Sequence, residues 1–66
     1  MMTKEELLTL EALIDRHGVG GILANVEQIC LDKAAHIATE WQDTRTAKHW
    51  TLASGFVGGA ARKVGV

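Results

Sequence analysis

Residues 20–41 (GGILANVEQICLDKAAHIATEW) carry more apolar surface than one short helical hairpin can cover. Projected at about 100° per residue, Ile22, Leu23, Val26, Ile29, Cys30, Ala34, Ile37 and Trp41 fall on one broad arc, which Leu31 and Ala38 extend. Asn25, Gln28, Asp32, His36 and Thr39 take the remaining side. An ordinary amphipathic helix buries a stripe a little over 100° wide, whereas this one spans roughly 200°. One edge is therefore expected to pack inside the subunit and the other against a second copy, with Ile22, Val26, Ile29, Leu31, Ile37 and Trp41 as the oligomer interface.

Chain length points the same way. A 66-residue domain buries only about 60% of its unfolded surface, and chains of this size usually need a staple. The single cysteine excludes an internal disulfide, which leaves oligomerisation. The lone thiol suits a reducing compartment. No leader-like segment and no run of 18 apolar residues is present, so the chain is expected to be one cytoplasmic domain, residues 1–66, with no membrane partner.

Two flanking helices and no strands complete the reading. Thr3-Lys4-Glu5-Glu6 fits a capping box and starts a helix over about residues 4–17, with Leu7, Leu10, Ile14 and His17 at helical spacing, Leu13 beside them, and Gly18 to end it. Asp43 can cap a third helix beginning at Thr44, on which Trp50, Ala53, Val57, Ala60, Ala61 and Val64 share a face. Gly55, Gly58 and Gly59 weaken its second half and leave its continuity open. The expected fold class is all-α: three helices, a short one followed by a long helical hairpin, assembled as a homodimeric bundle.

Charge is segregated. Residues 1–43 hold eight acids against Lys4, Arg16 and Lys33, whereas residues 44–66 hold Arg45, Lys48, Arg62 and Lys63 and no acid. The simplest consequence is a basic third helix lying along an acidic second one. Four positive charges are few beside the basic faces of dedicated nucleic-acid binders, which argues against a nucleic-acid partner. Leu52 and Phe56 fall on the same side as Arg45, Lys48 and Lys63, an aromatic anchor among basic residues. These five residues are the candidate partner-binding patch; the alternative is that Leu52 and Phe56 close the subunit core against the first helix.

Catalytic chemistry is not written into the chain. Cys30 and His36 are six apart and face different ways, and Asp32, His36 and Glu40, with or without His49, read more simply as a solvated helix face than as a metal site. Ser54 sits on a helix and not on a strand-to-helix elbow. The glycines at 18, 20 and 21 lack the lysine of a phosphate-binding loop and suit a tight turn better. No catalytic residue, cofactor or metal is expected, and the chain is not expected to be an enzyme.

The run Leu13-Ile14-Asp15-Arg16-His17-Gly18, then Ile29-Cys30-Leu31-Asp32-Lys33-Ala34-Ala35-His36-Ile37, Trp41-Gln42-Asp43 and Ala47-Lys48-x-Trp50, resembles a set of small uncharacterised helical proteins from bacteria and their phages. The resemblance covers about residues 7–57 and implies a helical fold, not an activity. By analogy of type with phage-encoded host modulators, the leading expectation is a homodimeric interaction protein that binds and inhibits a host protein in the bacterial cytoplasm. The alternative is an oligomer that sequesters a small anionic nucleotide signal, with Trp41, Trp50 and His49 supplying stacking surfaces and charge.

Overall fold

The computed structural model describes all 66 residues as two α-helices and no strand. α1 spans Lys4–Glu40 and α2 spans Thr44–Lys63. The expected three-helix layout is therefore corrected to two. Its first two helices are the halves of α1, joined by the single non-helical residue Gly18 (φ 78°, ψ 159°), with no connecting loop. That backbone region is essentially reserved for glycine, so one residue redirects the chain and Val19 resumes the helix at once. Gly20 and Gly21, read as turn residues, lie inside the helix.

Each helix start is held by its own sequence. Thr3 Oγ1 accepts from the Glu6 amide at 3.1 Å while Glu6 Oε1 accepts from the Thr3 amide at 2.7 Å, the reciprocal capping box. The break at Gly18 frees the first amides of the second half of α1, and that of Gly20 donates to the Val66 carbonyl oxygen at 2.6 Å. The end of the chain thus ties down the kink. At the hairpin tip Gln42 takes the left-handed conformation (φ 52°) and the Trp41 amide donates to Ile37 O. Asp43 then caps α2, accepting from the Thr46 amide at 3.0 Å and the Thr46 hydroxyl at 2.7 Å. α2 runs unbroken through Gly55, Gly58 and Gly59.

Residues 19–40 of α1 pack along α2 through small side chains. Cys30 and Ala34 on one side and Ala47, Ser54 and Gly58 on the other are the buried positions. Such residues let two helix backbones approach closely, and a methyl group on Gly58 would overlap the Glu27 carboxylate. Ser54 remains satisfied by donating to Thr51 O at 2.6 Å. Leu23, Val26, Ile37, Trp50, Val57 and Ala61 are half-buried around this seam. Lys33 Nζ sits 5.5 Å from the centre of the Trp50 ring, a cation–π contact across the hairpin. The face expected of α2 is rotated accordingly: Ala60 is exposed, and the closest packing falls to Ala47, Ser54 and Gly58.

The hairpin is only two helices thick, and no large side chain is fully buried. The radius of gyration is 13.5 Å; a compact chain of this length would have about 11 Å. The arm, residues 4–17, adds to this extent, because the break at Gly18 turns it out of line with the hairpin. Neither helix is long and apolar enough to cross a membrane.

Candidate functional site

Two surfaces stand out, one on each helix. On α2, Arg45, Lys48, Leu52, Phe56 and Lys63 are all exposed. At 100° per residue they fall within an arc of about 80°, opposite the buried line of Ala47, Ser54 and Gly58. Phe56 is 80% exposed and Leu52 53%. The two do not close the subunit core; they stand on the outer face of α2 among its positive charges. Gly55 and Gly59 lie beside them with no atom within 4 Å of where a Cβ would project. From Arg45 to Lys63 the stripe runs about 27 Å along the helix axis.

The second surface is the inside of the α1 kink. Leu10, Leu13 and His17 from the arm face Ile22, Asn25, Val26 and Ile29 from the hairpin across an open-sided groove of about 340 Å³. The groove continues along α1 into a shallower depression of about 310 Å³ between Ile29, Asp32, Lys33, His36 and Ile37. Of the expected interface residues, Ile22, Val26 and Ile29 line the groove and Ile37 its extension. Leu31 lies on the other flank of α1, and Trp41 stands 74% exposed at the hairpin tip. The six do not form one surface. Leu10, Leu13 and His17 were recognisable as one helical face, but only the kink brings that face against Ile22 and Ile29.

The remaining candidates are dispersed. No group of three or more His, Cys, Asp or Glu side chains is arranged to hold a metal ion. Asp32 accepts a hydrogen bond from Gln28 Nε2 at 2.9 Å on the exposed side of α1. Cys30 is a buried free thiol in the hairpin seam. The Gly20 amide, the candidate phosphate donor, is spent on Val66. Of the two candidate stacking residues, Trp50 is half-buried with Lys33 over its ring, while Trp41 stands exposed at the hairpin tip.

Electrostatics at the helix starts serve structure. The Asp43 carboxyl is held below the usual carboxylate range by hydrogen bonds from the Thr46 amide and hydroxyl, with smaller help from the Arg45 amide and the His49 charge. The Glu6 carboxyl is lowered by its bonds to the Thr3 amide and hydroxyl. Comparison of the chain with family models, with curated proteins and with solved structures finds no match.

Proposed function

We propose that this chain is a non-enzymatic, self-associating helical protein that binds a partner protein through the outer face of α2. The observation that carries the reading is Phe56, 80% exposed on a regular helix, one turn from Leu52 and flanked by Arg45, Lys48 and Lys63. A large aromatic left in water on a helix face whose charges are all cations has the composition of an interface anchor. The absence of any acid on α2 fits a partner whose surface is acidic. A host protein as that partner, and inhibition as the outcome, rest on analogy of type with phage-encoded modulators alone.

Native mass spectrometry of the untagged chain, purified gently from its own host, tests this. The expected species is a dimer with a co-purified protein. Phe56→Ala removes that protein while dimer and helix content persist, because truncating an aromatic anchor weakens binding by about 2 kcal/mol or more, a factor of roughly 30. Lys48→Glu weakens it too, more strongly at low salt. A folded, dimeric Phe56→Ala and Leu52→Asp pair that keeps the same protein at wild-type affinity refutes the assignment.

A further inference from the structure

The kink of α1 leaves an apolar groove and an acidic arm with too little to pack on, and both are parts of one surface. The isolated subunit exposes 5296 Å². A compact folded chain of 7.1 kDa exposes about 4,100 Å², so this subunit leaves about 1,200 Å² more in water than its mass requires. Part of the excess is apolar and lies on α1: Leu7, Leu8 and Leu13 of the arm are exposed, and so is Ile29 in the groove. An isolated helix as short as the arm is marginal in water, which leaves the arm in need of a surface of its own.

We infer that the occupant of the groove is a second copy of this chain, its arm lying in the kink so that each protomer's arm fills the other's groove about a two-fold axis. This deepens the self-association half of the proposed function and rests on it. Two observations select a second copy. Stable specific interfaces bury about 600–1,000 Å² on each partner, and the excess surface covers that requirement. The charges also match, since the arm carries Glu5, Glu6, Glu11 and Asp15 against Lys4 and Arg16. The groove's extension presents Lys33 and His36 beside one acid, Asp32, whose carboxylate accepts from Gln28 Nε2. An arm entering from the partner brings its acids to the Lys33 ammonium and the His36 imidazole while its leucines meet Ile22, Val26 and Ile29. Reciprocal exchange closes the assembly at two copies. The outer face of α2, with the bases Arg45, Lys48 and Lys63 and no acid, would instead meet its own charge in a symmetric pair.

Sedimentation velocity of the full chain over a wide concentration range, with circular dichroism as the fold control, tests the inference. Leu13 and Ile29 are exposed in the subunit, so Leu13→Asp and Ile29→Asp should keep the helical spectrum and raise the dimer dissociation constant by about 100-fold, through burial of an unpaired charge. Leu52→Asp should leave it unchanged. An independent readout uses two single-cysteine additions, possible because Cys30 is buried: mixing Leu7→Cys chains with Asn25→Cys chains and oxidising mildly should give the mixed disulfide dimer. A wild-type chain that stays monomeric at all concentrations overturns both this inference and the self-association reading. A wild-type dimer indifferent to Leu13→Asp and Ile29→Asp, or yielding no mixed disulfide, overturns this inference alone, as does a dimer broken by Leu52→Asp.

Discussion

Gly55 and Gly59 offer the cleanest quantitative test of how α2 sits in the protein. Both lie within the helix, where glycine is less favourable than alanine by about 0.8–1.0 kcal/mol, because its backbone loses more freedom on ordering. A Cβ at either position meets nothing within 4 Å, so the substitution adds no clash and removes no contact. Gly55→Ala and Gly59→Ala should each stabilise the fold by about 1 kcal/mol, and together by about 2 kcal/mol. For a domain of this size that is a rise in melting temperature of about 4–8 °C for each substitution. Gly58→Ala is the internal control. It offers the same propensity gain, but its methyl group must displace the Glu27 carboxylate at the hairpin seam, so it should gain less than either neighbour or lose stability. Urea unfolding at one fixed protein concentration, with unchanged slope, measures all three. If Gly55→Ala or Gly59→Ala destabilises the protein, the outer face of α2 is in contact with another backbone and the reasoning from an open helix face fails.

Two further outcomes follow from the helix junctions. Alanine at Gly18 cannot adopt φ 78° without strain of order 1–3 kcal/mol, and its Cβ would lie 3.1 Å from the Val66 backbone. Gly18→Ala should therefore either lower the urea midpoint or straighten α1 towards a rod of about 55 Å. The longest present extent is 37 Å, so small-angle scattering separates the two outcomes, and a variant unchanged in both midpoint and scattering refutes the kink. The Asp43 and Glu6 carboxyls titrate lower in the folded chain than in the unfolded one. Their contribution is complete above the ordinary carboxylate value near about 4 and is lost as pH falls through the lower folded value. Asp43→Ala should thus be less stable than wild type at neutral pH, with the gap closing in acid; a gap that widens as pH falls contradicts the assigned cap.

Much of this architecture is legible from local chemistry. The Thr3 capping box and the Asp43 cap each depend on residues within three positions of one another, so sequence alone places the starts of α1 and α2. The segregation of Arg45, Lys48, Leu52, Phe56 and Lys63 onto one face is equally a matter of helical period. What escapes local reading are features decided across the chain. Gly18 signals that a helix ends but not that another begins at the next residue. The Gly20 amide freed by the break finds its acceptor in Val66, a partner at the far end of the sequence. The packed line of α2 escapes for another reason. Apolar periodicity favours Trp50 and Val57, whereas closest approach selects Ala47, Ser54 and Gly58 for size, and neither serine nor glycine registers as hydrophobic.

The position of the kink bears on how folding and binding are related. Gly18 gives up the chance of one straight helix, and its replacement by a bend creates both the free arm and the groove that can accept one. If each arm completes the other subunit, the helicity of residues 4–17 is a property of the dimer, and apparent stability should rise with protein concentration. The outer face of α2 is remote from that exchange, on the other helix and turned away from the seam. The two associations can therefore be separated by mutation, Ile29→Asp dissolving the pair while Phe56 stays available, and Phe56→Ala leaving the pair intact. A partner that binds monomer and dimer alike reads only α2; one that requires the dimer needs two copies of the Phe56 face at a fixed spacing.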